Sequence, residues 1–142
     1  MKELTNTIRY LFVYGTLRKQ YQLDLLNKIE ENIQFFDHGF IRGCLYDLGD
    51  YPGAVKSEMA SVIKGDVLLV KDKKTLAVLD DYEGYYPDEE HASLFIRAPE
   101  KVELNNGSCI EAWVYWYNKS INNKTRIPEG DYLAYIKSKK TV

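Results

Sequence analysis

A strand near the C-terminal end of the chain constrains the fold most strongly, because both of its faces are apolar. The segment at residues 93–104 alternates as a long strand, and an Asn-Asn-Gly turn at residues 105–107 connects it to this strand at residues 108–118. One face carries Trp113, Tyr115 and Tyr117, and the other carries Ile110, Ala112, Val114 and Trp116. Neither face is suited to solvent, so we expect other elements to cover both.

Strands of uneven length make up much of the remaining chain. Apolar segments that predict strands lie at residues 10–14, 35–48 and 60–71. Gly39 and Gly43 interrupt the second segment, which predicts a bent or bulged strand, and the third predicts two short strands around Gly65. A turn is expected at residues 50–53, where Pro52 precedes a glycine.

Three helices are expected at nonadjacent places. Asp72 is a suitable N-cap for a helix over residues 73–83, and Gly84 is a suitable residue to end it. The apolar spacing from Leu17 predicts a helix in the early to mid twenties, and Asp131 caps a short third helix. The sequence therefore predicts an α+β fold in which a curved mixed sheet closes into a small barrel flanked by helices.

The chain has 142 residues, the size of one ordinary domain. We expect a single domain over residues 1–142, with its core at about residues 8–136. No apolar run is long enough to span a bilayer and no export signal precedes the first strand, so we expect a cytoplasmic protein. Cys44 and Cys109 are then predicted to be buried, reduced thiols.

The charge balance excludes several classes of function. Lys and Arg number 19 and Asp and Glu number 21, which gives a net charge of −2 and no electrostatic support for nucleic-acid or membrane binding. The two His and two Cys match no zinc-ligand spacing, so no metal site is expected. The 12 Tyr residues leave many hydroxyl groups that need partners when buried. Nothing in the sequence sets the oligomeric state.

Glu83 is a candidate catalytic residue because it lies on the apolar face of its helix. Leu76 and Leu79 define that face, and Glu83 follows Leu79 by four positions. An inward carboxylate loses solvation, and the helix macrodipole disfavours a negative charge at the C-terminus, so both effects raise its pKa. A raised pKa suits a general base that works near neutral pH.

Other interpretations of this helix stay open. Glu83 could extend into solvent at the helix end, or it could pair with a basic group such as Arg97. Asp80 shares part of the inward face, whereas Asp81 lies on the solvent side. A paired-carboxylate site is disfavoured because neighbouring side chains on a helix diverge.

A glycine turn follows the first strand at Tyr14-Gly15-Thr16-Leu17. Exposed backbone N–H groups in such a turn could hold a small anion such as a carboxylate. The turn is not a phosphate-binding loop, because the glycine spacing and the lysine are missing. The alternative is an ordinary connection between a strand and a helix.

Together, the glycine turn and the acidic helix end resemble the two signature segments of the gamma-glutamylcyclotransferase-like family. The matching segments read Phe-Val-Tyr-Gly-Thr-Leu-Arg at residues 12–18 and Leu-Asp-Asp-Tyr-Glu-Gly-Tyr at residues 79–85. Further segments are similar to the family in order and spacing, at residues 43–54, 65–67, 93–97, 112–117 and 127–132. The resemblance covers the chain from Tyr10 to about Tyr135.

The resemblance implies a cavity between the turn and the acidic helix end, and a reaction that cyclises a γ-glutamyl amine to 5-oxoproline and a free amine. It implies that Glu83 is the catalytic acid and base and that no cofactor is needed. The substrate-binding residues that it implies are Tyr14 in the pocket wall, the backbone of Gly15, Thr16 and Leu17, and a Tyr of the aromatic strand. For that Tyr, either Tyr115 or Tyr117 is possible, and Tyr117 is preferred because it is nearer the strand end.

Two other functions would use the same cavity. One is a noncatalytic module that binds a small carboxylate or amine, although such a module gains nothing from a buried anion at Glu83. The other is a carboxylate-based amide hydrolase, which would release glutamate rather than 5-oxoproline. The amine that would leave cannot be read from the sequence.

Overall fold

Eight strands form one sheet in the part of the chain that the computed structural model describes, which is residues 8–15, 32–57 and 61–140. The strands are β1 (Tyr10–Val13), β2 (Ile33–Arg42), β3 (Cys44–Asp47), β4 (Pro52–Val55), β5 (Val62–Val70), β6 (Phe95–Leu104), β7 (Cys109–Tyr117) and β8 (Thr125–Ile127). The helices are α1 (Lys73–Glu83) and α2 (Tyr132–Lys140), with a 3-10 helix at Glu90–Ala92. The helix predicted in the early to mid twenties lies outside the described residues.

Five of these strands close into a barrel, in the order β1-β5-β2-β6-β7. The closure is a parallel contact between β1 and β7, where Leu11 lies opposite Trp113. Strands β4, β3 and β8 continue the sheet from β7, beginning at the parallel pair of Ala54 and Trp116. The predicted α+β fold with a mixed sheet closed into a small barrel is therefore confirmed.

Strand β7 is covered on both faces, as the sequence predicts. Val114 and Trp116 belong to one hydrophobic core, which also contains Phe12. Tyr115 belongs to a second core, where it is buried together with Leu79 of α1. The side chains of successive residues thus enter different cores, and β7 separates the two.

Three local predictions differ from the structure. Residues 62–70 form one continuous strand rather than two, because β5 pairs with β1 on one edge and with β2 on the other. The turn expected at residues 50–53 lies earlier, since Leu48 N–H donates to the Tyr51 carbonyl at 3.0 Å and β4 already begins at Pro52. Both cysteines are free thiols, but Cys109 is exposed because it lies beside the hairpin turn.

The capping residues fix the bounds of α1 as predicted. The Asp72 carboxylate accepts a hydrogen bond from the Thr75 N–H at 2.8 Å, and this satisfies a free donor of the first turn. Gly84 adopts a left-handed conformation with φ of 70°, and its N–H bonds back to the last turn. Glu83 is therefore the last helical residue. No helix in the described ranges has the length and apolar character to cross a membrane.

Candidate active site

A cavity of about 210 Å³ lies where the end of β1 meets the end of α1. Its wall includes Tyr14 and Gly15 after β1, Glu83 at the end of α1, Tyr115 from β7 and Tyr51 before β4. The volume lies below the range of drug-sized sites, so the cavity suits a small molecule. Among the residues that the structure describes, no three His, Cys, Asp or Glu side chains lie together as a metal site would require.

Glu83 lies in this cavity with its side chain only partly exposed. Burial raises the pKa of Glu83 to about 7, because the charged carboxylate loses solvation there. The alternative pairing with Arg97 is not found. The Arg97 guanidinium instead bonds the Asp80 carboxylate, with Nε–Oδ1 at 2.7 Å and Nη2–Oδ2 at 3.1 Å. A carboxyl group with this pKa is suited to exchange a proton near neutral pH.

The turn that follows β1 requires glycine because Pro52 packs against it. A Cβ atom on Gly15 would lie 2.7 Å from Cγ and 2.8 Å from Cδ of Pro52, closer than carbon atoms approach. The resemblance implies a cavity between this turn and Glu83, and the structure brings Gly15 and Glu83 into the wall of one cavity. Thr16 and Leu17, the other two turn residues predicted to bind substrate, lie outside the described residues.

The hydroxyl group of Tyr14 makes two hydrogen bonds to the backbone. It donates to the Tyr115 carbonyl at 2.6 Å and accepts from the Ala54 N–H at 3.1 Å. Burial, and secondarily the nearby Glu83 carboxylate, raise the pKa of Tyr14 well above its usual value, so the phenol stays protonated. Tyr14 thus connects the end of β1 to β4 and β7 through its hydroxyl group, and it is also part of the cavity wall.

The structure favours Tyr115 over Tyr117 as the tyrosine of β7 that lines the cavity. Tyr115 is part of the wall, whereas the ring of Tyr117 packs against Phe95, with centroids 5.5 Å apart, and lies beside Gly53. The wall of this cavity therefore contains Tyr115 rather than the preferred Tyr117, and a substrate contact of Tyr117 stays a prediction. Both side chains lie on one face of the strand, but the ends of β1 and α1 meet at the level of Tyr115.

Sequence reasoning missed the group of side chains behind Tyr115. The Tyr115 hydroxyl donates to Oδ1 of Asp80 at 2.7 Å, and Arg97 lies over the Trp113 ring at 4.2 Å from its centroid. The signal for Asp80 was its partly inward position on α1. The sequence offered Arg97 only as an alternative partner of Glu83, and the structure pairs Arg97 with Asp80 instead. Tyr51 and Tyr82, exposed aromatic residues in the cavity wall, were not predicted to line it, although both lie in segments that resemble the family.

A known protein family matches most of the chain. The family model described as gamma-glutamyl cyclotransferase, AIG2-like, matches residues 11–134. This range contains both the glycine turn and the helix that ends at Glu83.

Individual relatives are similar over nearly the full chain. A protein of Methanocaldococcus jannaschii is 32% identical over 130 residues, which cover 90% of this chain and 98% of that protein. A protein of Vibrio cholerae is 32% identical over 134 residues, covering 89% of this chain and 96% of that protein. Both carry the name "putative gamma-glutamylcyclotransferase".

A solved structure shows the same fold. The crystal structure of YkqA from Bacillus subtilis superposes with a TM-score of 0.72 at 24% sequence identity. The match covers 96% of this chain, which spans 44% of the YkqA chain. At this level of identity, the likeness concerns the fold alone.

Proposed function

Because the chain belongs to the gamma-glutamyl cyclotransferase, AIG2-like family, we propose that this gamma-glutamylcyclotransferase-like enzyme cyclises a γ-glutamyl amine to 5-oxoproline and releases the amine. One observation supports the proposal most strongly. A carboxyl group with a pKa of about 7 shares a small cavity with the glycine turn. A fold by itself does not specify a reaction, whereas the chemistry of these groups does favour one.

In the proposed reaction, the α-nitrogen of the γ-glutamyl group attacks its own γ-carbonyl carbon. A new N–C bond closes the lactam ring, and the C–N bond to the amine breaks. Counted from an α-ammonium, two protons leave the attacking nitrogen and two reach the leaving nitrogen, which departs as a protonated amine. The reaction therefore needs a group that takes up and returns protons, and it needs no second substrate.

Glu83 suits this proton transfer in both directions. An α-ammonium is not nucleophilic until it loses a proton, and an amide nitrogen is a poor leaving group until it gains one. A carboxyl group with a pKa of about 7 can accept the first proton and donate it again at neutral pH. Positioned acid–base groups typically contribute about 10²- to 10⁴-fold in rate.

The glycine turn has the second role in this proposal. We assign the backbone N–H groups of Gly15, Thr16 and Leu17 to the α-carboxylate of the substrate or to the oxyanion of the tetrahedral intermediate. The loss of one oxyanion donor typically costs about 3 kcal/mol in transition-state stabilisation. The rings of Tyr14 and Tyr115 would enclose the glutamyl group between the turn and Glu83, since both line the cavity.

The test is an incubation of the protein with a panel of γ-glutamyl amines and γ-glutamyl dipeptides, followed by mass spectrometry of the products. We expect 5-oxoproline and the free amine from at least one substrate. Glutamate in place of 5-oxoproline would instead identify an amide hydrolase. Unchanged substrates across the whole panel would leave a noncatalytic binding module as the function. The Asp81→Asn variant, which changes an exposed carboxylate on the same helix, serves as the activity control.

A further inference from the structure

Behind the cavity wall, three side chains form a continuous chain of hydrogen bonds. Arg97 donates two hydrogen bonds to Asp80, and the hydroxyl of Tyr115 donates to the Oδ1 atom of the same carboxylate at 2.7 Å. Tyr115 is 3% exposed and Asp80 is 9% exposed, so the phenol and the carboxylate are largely removed from solvent. The arrangement is therefore fixed in one geometry.

The direction of the hydrogen bond between Tyr115 and Asp80 follows from the chemistry of the two groups. A carboxylate bonded to a guanidinium is an acceptor only, and a phenol has a single proton to donate. The Tyr115 proton is therefore directed at Asp80, and the phenol oxygen keeps its lone pairs for another donor. Burial, followed by the bond to Asp80, raises the pKa of Tyr115 well above its usual value, so this proton stays in place.

We propose that Asp80 is a positioning residue that makes Tyr115 a hydrogen-bond acceptor of the cavity, and that Tyr115 and Glu83 together recognise the α-ammonium group of the substrate. This inference rests on the proposed function, because it takes the γ-glutamyl group as the ligand. An ammonium group carries three donors and no acceptor, so it matches two oxygen acceptors in one small cavity. The bond to Tyr115 would also orient the attacking nitrogen.

Asp80 acts through Tyr115 rather than on the substrate. It is not part of the cavity wall, and it lines instead a separate groove of about 940 Å³ together with Arg97 and Trp113. Both of its carboxylate oxygens are engaged, one by Arg97 and the other by Arg97 and Tyr115. The two inward carboxyl groups of α1 therefore have different tasks: Glu83 transfers protons and Asp80 fixes a hydroxyl.

The test compares two ligands that differ only in the ammonium group. L-Glutamine carries the α-ammonium, and glutaramate is the same amide acid without it. Affinities for both are measured by calorimetry in the wild type, in Tyr115→Phe and in Asp80→Leu, which removes the acceptor of the Tyr115 proton. A hydrogen bond to a charged group lost from the site corresponds to about a 10- to 100-fold change. We expect each single variant to lower the ratio of the L-glutamine affinity to the glutaramate affinity by that factor. The variant that combines the substitutions at Tyr115 and Asp80 should lower the ratio no further.

Tyr135→Phe is the matched control. The Tyr135 hydroxyl also donates to an aspartate oxygen at 2.7 Å, that of Asp47, and Lys139 lies near the same oxygen. This variant removes the same type of bond on α2, so it should leave the affinity ratio unchanged. Partial unfolding would weaken the binding of both ligands equally, so it would not change the ratio of their affinities. Asp80→Leu/Arg97→Gln repeats the test without an unpaired guanidinium.

The possible results separate the two proposals. An unchanged ratio in a folded Tyr115→Phe variant would overturn the ammonium contact, even if the enzyme forms 5-oxoproline. A ratio that falls in Tyr115→Phe but not in either Asp80 variant would overturn the positioning role of Asp80. If the affinity ratios change as expected but no substrate yields 5-oxoproline, the proposed reaction is refuted and the ammonium contact is not.

Discussion

Replacement of Glu83 by glutamine should make the protein more stable above neutral pH, although it removes the catalytic group. The pKa of Glu83 is raised from 4.5 to about 7 in the folded state. As the pH rises from 4.5 to 7, the unfolded chain releases this proton while the folded chain keeps it, so the stability of the wild type falls in this window. At about 1.4 kcal/mol for each tenfold change in proton affinity, the loss is about 3 kcal/mol at most.

Solvent that reaches Glu83 through the cavity reduces this loss of wild-type stability, which we therefore expect to be about 2 kcal/mol. Glutamine has nearly the same shape and no charge, so Glu83→Gln should avoid the loss. With a urea m-value of about 2 kcal/mol/M, the unfolding midpoint of the variant should exceed that of the wild type by about 1 M at pH 8.5. The difference should disappear at pH 4.5. Asp81→Asn controls for net charge. A difference in unfolding midpoint between Glu83→Gln and the wild type that is equal at both pH values would refute the burial of Glu83.

Three further predictions concern the walls of the site and the C-terminal helix. Gly15→Ala places a Cβ atom 2.7 Å from Cγ of Pro52, so we expect a loss of about 1–3 kcal/mol in urea unfolding and a lower kcat/KM. Tyr14→Phe removes two buried hydrogen bonds to backbone groups, and the same urea assay should show a loss of about 1–3 kcal/mol. Burial acts to raise the pKa of Asp47, but hydrogen bonds, first that from Tyr135, outweigh it and hold the pKa below its usual value. This stabilisation is present above about pH 4 and is lost as the pH falls through the lowered pKa, so Tyr135→Phe should destabilise the protein at pH 7 more than at pH 3.

Features that depend on neighbouring residues were predictable from the sequence. The bounds of α1 follow from Asp72 and Gly84, whose side-chain and backbone chemistry act within one helical turn. The inward position of Glu83 follows from the helical period that begins at Leu76. The hairpin after Leu104 follows from the Asn-Asn-Gly turn, where Leu104 N–H donates to the Ser108 carbonyl at 2.8 Å.

Features that depend on distant residues were not predictable. The register of β7 determines that Tyr115, and not Tyr117, reaches the cavity, but the two residues have the same parity in the strand. The partner of Arg97 depends on how β6 crosses α1, and both Asp80 and Glu83 were compatible with the pattern. Strand β8 has only three residues in a polar segment, and it pairs with β3 more than 70 positions earlier. Such a short strand has no periodicity of its own.

The most direct test of the proposed mechanism is the rate of 5-oxoproline formation as a function of pH, measured for the wild type and for Glu83→Gln. We expect kcat/KM of the wild type to rise with pH through a midpoint near 7, because Glu83 must be ionised to accept the first proton. The variant should be about 10²- to 10⁴-fold slower and should lack this inflection. A variant that keeps the wild-type rate, or that shows the same midpoint near 7, would contradict the role of Glu83 as the general base.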